Sequence, residues 1–353
     1  MKILIMKFRN IGDTLLATPL ANNLKAHYPQ AQIHFACNEG CEAMCEGNPN
    51  IDKIHIYKRK SIKNSNFFGK IKAELGFLKE LKKEHFDIAI NATSGDRGVY
   101  LALLSGAKTR ISYTEGGVIS RFITHAIEAQ DTKHTIEADL GALKALNLEV
   151  KDPAVKIYFN DFSEFFSAEN ALPENFIHIH PMSRWLFKAP KDELVAKIID
   201  FCAAEFGLPC VMSCANDERE IARCQNIISL CKYKPQAFLG SLSLKQVAFL
   251  SSKARLFIGA DTAIMHMAAA VDTPVIALFG PSSAQNWGPW DNALKSSQYK
   301  ATSGIQNMGK HTVIQANYSC VPCHKDGCDG SKISRCLNEL DFELIKNVIK
   351  TKI

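Results

Sequence analysis

No stretch of the 353-residue chain approaches the roughly 18 consecutive apolar residues that a membrane helix needs. No GxGxxG fingerprint and no complete Walker A motif occurs, which weighs against a nicotinamide dehydrogenase and a P-loop ATPase. The nearest approach runs from Gly304 to Lys310, but His311 stands where Ser or Thr is needed and no apolar strand precedes it. There is no DxD triplet to hold a divalent metal, no short repeat and no low-complexity tract. The opening Met1–Arg9 is interrupted by Lys7 and Arg9, is too short for a signal-peptide core and lacks a cleavage site. These absences point to a soluble, cytoplasmic protein.

What is present suits a folded chain of two domains: 46% apolar and 22% charged residues over a length that one core rarely fills. Eight of the twelve cysteines (37, 41, 45, 202, 210, 214, 224 and 231) are scattered, several in apolar runs where a thiol acts as a small hydrophobe. A chain this size does not need a disulfide framework. Charge is concentrated. Residues 52–84 hold ten Lys or Arg against four acids, an excess equal to the net +6 of the whole chain. Such a run is either a solvated helix face or a patch for an anionic partner.

Apolar runs alternate with helical periodicity, which predicts α/β structure with parallel sheets covered on both faces. Strands are expected at 2–8, 32–37, 51–57 and 86–91, with helices at 13–28 and 68–83. In the second helix Ile71, Leu75, Phe77, Leu78 and Leu81 mark the apolar face. A second series has strands at 176–180, 208–213, 254–259 and 274–279, and helices at 191–206, 217–231, 244–251 and 262–271. The proline-containing stretch 151–174 reads as the linker. The organisation is two doubly wound, Rossmann-like domains, 1–160 and 161–353, facing an interdomain cleft. Ligands of such sheets bind beyond the carboxyl ends of the strands.

Four strand-end segments therefore hold the candidate chemistry. In Arg9-Asn10-Ile11-Gly12-Asp13, the glycine permits a tight turn. Asp13 is a helix cap, a general base, or both. In His180-Pro181-Met182-Ser183-Arg184 with Lys188, two cations beside a hydroxyl suit a diphosphate. In Gly259-Ala260-Asp261-Thr262-Ala263, the amides of the first turn would attract a phosphate. His266 shares a face with Thr262, and Asp261 suits sugar hydroxyls or capping. In Phe279-Gly280-Pro281, the glycine allows close approach of the backbone, while Trp287 and Trp290 read as packing.

These segments together resemble glycosyltransferase family 9, the lipopolysaccharide heptosyltransferases. The matching residues are Arg9…Ile11-Gly12-Asp13…Thr18-Pro19, His134, His180-Pro181…Arg184…Lys188, Gly259…Asp261-Thr262…His266…Ala269-Ala270, and Phe279-Gly280-Pro281 with Trp287 and Pro289. The tail Cys320-Val321-Pro322-Cys323…Cys328…Cys336 looks most like the heptosyltransferase III group. The resemblance implies a GT-B fold, with the acceptor on the N-terminal domain and the nucleotide sugar on the C-terminal one. It implies an inverting, metal-independent transfer from ADP-L-glycero-D-manno-heptose to an inner-core sugar, with no cofactor. Asp13 matches the general base, with Arg9, Asn10 and Gly12 on the acceptor side. Ser183, Arg184, Lys188, Asp261, Thr262, Ala263 and His266 fall on the donor side. Ala263 stands where the family often has Gly. Glu220 falls near the adenosine ribose, with Glu218 as the competing choice.

The acceptor would then be an anionic glycolipid, and the basic 52–84 segment would bring the enzyme to the inner-membrane surface. The rivals are a family 9 enzyme with another donor or acceptor, a noncatalytic nucleotide-sugar binder, and a basic zinc-binding nucleic-acid protein. Nucleic acid is disfavoured because the charges and cysteines lie far apart and no aromatic-rich RNA motif occurs. The four tail cysteines allow a structural zinc, two disulfides or reduced thiols packing a loop. The loop without metal is the expectation.

Overall fold

The structure is a computed structural model and describes residues 1–113, 118–128 and 133–353; the Lys60 side chain also lies outside the description. It divides into two compact units, Met1–Tyr158 and Phe159–Ile353.

The first unit is built on β1 (Lys2–Lys7), β2 (Gln32–Asn38), β3 (Lys53–Tyr57), β4 (Ile88–Asn91), β5 (Thr109–Tyr113) and β6 (His125–Ile127). Their order is β3-β2-β1-β4-β5-β6, and every pairing is parallel. The second unit holds β7 (Ile177–His180), β8 (Cys210–Cys214), β9 (Gln236–Leu239), β10 (Leu256–Ala260), β11 (Val275–Phe279), β12 (Gly304–Met308) and β13 (His311–Gln315). Their order is β12-β13-β11-β10-β7-β8-β9, parallel except for the β12–β13 hairpin. Both units thus share one Rossmann-like plan, in which the direction of winding reverses beside the first strand. The switch points lie between β1 and β4, and between β7 and β10. Ligand-binding crevices of open parallel sheets form there.

Local chemistry explains the elements that position these points. β1 is a run of buried aliphatics, as a central parallel strand must be. The helix Ile11–His27 is buried on nearly all sides and contains Pro19. Proline has no N–H for the Leu15 carbonyl, and the Thr18 hydroxyl donates to that oxygen instead at 2.8 Å. This explains the Thr18-Pro19 pair. At Gly259 an added Cβ would lie 2.5 Å from the His180 carbonyl oxygen, so only glycine lets β10 run this close to β7.

Several expectations are corrected. The first helix begins at Ile11, with Asn10 as its N-cap, so Asp13 is in the first turn rather than at the cap. Thr262 is the N-cap of the helix Ala263–Ala270, so Asp261 does not cap it. Gly304–Lys310, where no phosphate loop is expected, is a regular part of the sheet. It forms β12 and the hairpin turn, where the Asp291 carboxylate accepts the Lys310 N–H at 2.9 Å. In the helix Phe67–Lys83 only Phe77 and Leu81 are buried, while Ile71 and Leu75 face solvent. The eight scattered cysteines are all buried, as their apolar settings suggest. No helix among the described residues is long and apolar enough to cross a membrane.

Candidate active site

In the first unit, the end of β1 leads straight into a polar cluster. Lys7 is buried, and its ammonium donates to both Asp139 oxygens at 2.7 and 3.0 Å and to the Ala92 carbonyl at 2.8 Å. The Tyr113 hydroxyl donates to Asp139 at 2.9 Å. Burial raises the Asp139 carboxyl, Lys7 and Tyr113 oppose that rise, and the nearby Asp13 carboxylate adds to it. The loop beyond Lys7 is pinned at several points. The Phe8 N–H donates to the Thr93 hydroxyl at 2.9 Å, Arg9 donates to Ser94 at 2.5 Å, and the Asn38 amide donates to the Arg9 carbonyl at 2.8 Å. Gly12 is buried and Asp13 half-buried. One Asp13 oxygen accepts the Asn10 N–H at 3.2 Å, which fixes the carboxylate at the switch point. Arg9, Asn10, Gly12 and Asp13 therefore do lie together. Sequence reasoning missed Lys7, Tyr113 and Asp139. The one signal was a lysine closing an otherwise apolar strand.

In the second unit, the β7 and β10 loops meet through an ion pair. Lys188 donates to Asp261 at 2.7 Å across 73 residues of sequence. Burial opposes ionisation of Asp261, but Lys188, the Ser282 hydroxyl and the nearby His266 outweigh it and hold the carboxyl below its usual range. Asp261 thus has Lys188 as its first partner, while the capping position expected of it is held by Thr262. The Thr262 hydroxyl is buried without a hydrogen-bond partner among the described residues, at the start of the helix. His266 is buried one turn further on, its N–H donating to the Thr262 carbonyl at 3.4 Å. Ala263 supplies the first helical residue.

Ser183 is buried, and its hydroxyl accepts the Trp185 N–H at 3.2 Å. Arg184 is exposed, its guanidinium 5.6 Å from the centre of the half-exposed Trp185 ring. Glu220 sits beyond β8, buried, and accepts the Ala215 N–H at 3.1 Å; burial raises its carboxyl. Glu218 is exposed. Beneath these loops, His178 bridges the Ser213 and Ser251 hydroxyls at 2.8 and 2.9 Å. His180 meets Ser213 at 2.9 Å, and burial lowers it to about 4. His180 is therefore a neutral support for the strand end.

Two other polar groups stand outside these candidates, one of them in the tail, where the His324 N–H donates to the Pro281 carbonyl at 2.9 Å. Among the described residues, His34, His55 and Glu84 are the one trio with metal-ligand spacing. The two rings touch at 3.0 Å, and Glu80 holds the other His55 nitrogen at 2.5 Å. Lys2 and Lys53 already engage both Glu84 oxygens, at 2.8 and 2.5 Å. The trio lies at the opposite, amino-terminal edge of the sheet. In the tail, Cys320 is exposed, Cys323 and Cys328 are half-buried and Cys336 is buried, all as free thiols. Burial, with the other three cysteines adding to it, pushes the Cys336 thiol up to about 11.

Comparison with known proteins bears on the whole chain. Residues 75–318 match the model of glycosyltransferase family 9 (heptosyltransferase). The chain is 31% identical over 288 residues to lipopolysaccharide heptosyltransferase 3 of Escherichia coli K12, covering 79% of this chain and 82% of that one. Its fold is similar to a family 9 glycosyl transferase from Veillonella parvula, with a TM-score of 0.79, 21% identity, and coverage of 99% of this chain and 96% of that one. It is also similar to the E. coli heptosyltransferase WaaC solved with ADP, with a TM-score of 0.74, 17% identity and 100% coverage of both chains.

Proposed function

The chain belongs to glycosyltransferase family 9 and is a glycosyltransferase of GT-B fold, and we propose that it is an inverting heptosyltransferase using ADP-heptose. Its acceptor on this reading is an inner-core sugar of lipopolysaccharide or lipooligosaccharide. The observation that carries the donor assignment is the Lys188–Asp261 pair beside the Thr262 helix start, at the switch point of the second sheet.

The chemistry follows from the charges. Transfer breaks the bond between the anomeric carbon and ADP, so negative charge grows on the diphosphate. Asp261 aims the Lys188 ammonium, which keeps donors free for phosphate oxygens. Arg184 and the amides at Ala263 add positive potential, and the buried Thr262 hydroxyl offers a further donor. Ser183 and His266 line the same group of loops. Glu220 suits the ribose hydroxyls, because it lies at the end of the second strand of its sheet, where dinucleotide folds place an acid. With these groups the transfer needs no divalent metal and no cofactor.

On the acceptor side, a sugar hydroxyl is a weak nucleophile, and Asp13 takes its proton as it attacks. Attack on the face opposite the departing ADP inverts the anomeric centre in one step. Arg9, Asn10 and Gly12 shape the loop that presents Asp13. The acceptor is an anionic glycolipid, and the 52–84 segment brings the enzyme peripherally to the inner leaflet of the inner membrane. Nucleic acid has no part in this reading.

Calorimetric titration with ADP tests the donor half directly. Lys188→Ala is expected to weaken ADP binding roughly tenfold or more, the effect of losing a charge-assisted hydrogen bond. Unchanged affinity in a folded variant would remove Lys188 from the phosphate site.

A further inference from the structure

We propose that the exposed face of the helix Phe67–Lys83 is an insertion surface, which seats the first unit in an anionic lipid bilayer. The proposal deepens the reading above and rests on its lipid-linked acceptor.

The helix has two apolar faces, and the fold uses one. Phe77 and Leu81 pack into the core with Phe8, Tyr57 and Phe86. The other face is left outside: Phe67 is 71% exposed, Phe68 79%, Ile71 43% and Leu75 59%. Positions 67, 71 and 75 form one line along the helix, and Phe68 flanks it. Four large hydrophobes in one exposed stripe are not the scattered surface apolars of ordinary proteins.

The neighbouring charges identify the occupant. Lys79 continues the line of Phe67, Ile71 and Leu75, and Lys72 lies one turn beyond Phe68. Lys82 and Lys83 close the same flank. All four are exposed, and none forms an ion pair among the described residues. Lys58 and Lys63 are exposed just before the helix. An apolar stripe bordered by unpaired lysines complements an anionic membrane interface. The apolar groups enter the acyl boundary while the ammonium groups remain among the headgroups.

The helix register aligns this surface with the acceptor edge. Glu74 accepts the hydroxyl of Tyr57, the last residue of β3; Glu80 meets His55; and Glu84 meets Lys53. The helix therefore runs antiparallel to β3, and its start overshoots the carboxyl edge of the sheet. At 1.5 Å per residue, Phe67 stands about 10 Å beyond the level of Glu74. That edge also carries the loop of Arg9 and Asp13. Phe8, at the start of that loop, packs edge-on against Phe77 of this helix, with ring centres 6.1 Å apart. Seating the two phenylalanines would thus bring the Asp13 loop toward a sugar projecting from the bilayer.

The test is co-sedimentation with phospholipid vesicles, with and without anionic lipid, at low and high salt. It is paired with transfer assays on a vesicle-embedded acceptor and on the same acceptor after removal of its acyl chains. The wild type is expected to bind anionic vesicles. Phe67→Ser/Phe68→Ser is expected to lose at least about tenfold in vesicle binding and in transfer to the embedded acceptor. Its transfer to the deacylated acceptor should be unchanged. Lys72→Gln/Lys79→Gln should reduce the preference for anionic lipid and its salt dependence. Wild-type vesicle binding with no transfer to either acceptor would overturn the enzymatic reading while supporting the surface. Equal vesicle binding by the double serine variant would overturn the surface and leave the enzymatic reading in place. So would self-association through this face without vesicle binding.

Discussion

Replacing Asp13 by Asn will lower heptosyl transfer by roughly 10²–10⁴-fold, the range for loss of a positioned general base. The substitution is nearly isosteric. Its amide oxygen can still accept the Asn10 N–H that Asp13 accepts at 3.2 Å, so the helix start is preserved. What disappears is the ability to hold a proton. Asp139 cannot substitute, because it is buried and both its oxygens are taken by Lys7 and Tyr113. ADP affinity is expected to stay at the wild-type value, since Asp13 and the Lys188–Asp261 pair belong to different units. Steady-state rates and calorimetry on one preparation separate these effects. Wild-type turnover in Asp13→Asn would mean that the proton goes elsewhere. Loss of ADP binding as well would make Asp13 chiefly structural.

Lys7→Met will destabilise the first unit by about 3–5 kcal/mol, the typical cost of stripping one partner from a buried ion pair. The variant leaves Asp139 buried without its counter-ion, with only Tyr113 to satisfy it, and leaves the Ala92 carbonyl without its donor. Asp139→Asn in the same chain should recover much of the loss. The residual amide needs no counter-ion and can still accept from Tyr113. Hydrogen exchange at β1 and β4 amides reports on this unit separately from the second. An additive double variant, with no recovery, would show that Lys7 acts through packing alone. Lys7 leads directly into the Arg9–Asp13 loop, so this pair also anchors the proposed catalytic carboxylate from beneath.

Much of the fold was legible because central parallel strands are buried on both faces and read as unbroken apolar runs. β1, β4, β10 and β11 were located on that basis, and the candidate loops follow from where those strands end. β5, β6, β9, β12 and β13 were not legible. Their buried positions include Ser112, Gln306, His311 and Thr312, which carry no apolar signal. Helical period shows which residues share a face but not which face the fold will cover, so Ile71 and Leu75 read as part of the apolar face with Phe77 and Leu81 and yet are exposed. Within the site, strand-end position brought forward Asp13, Lys188, Asp261 and Thr262. Pairing between distant residues left no local trace. Lys188 and Asp261 are 73 residues apart, and Lys7 and Asp139 are 132 apart. The two acids near Ala215 also differ only in the folded chain, where Glu220 turns inward to that N–H while Glu218 stays in solvent.

The most direct measurement is transfer itself. The purified protein would be incubated in EDTA with ADP-L-glycero-β-D-manno-heptose and truncated lipid-core acceptors, following ADP release and product mass. The account predicts one added heptose on a core acceptor, with ADP released in equal amount and no dependence on metal. Failure to modify any core acceptor, by a protein that still binds ADP, would contradict it.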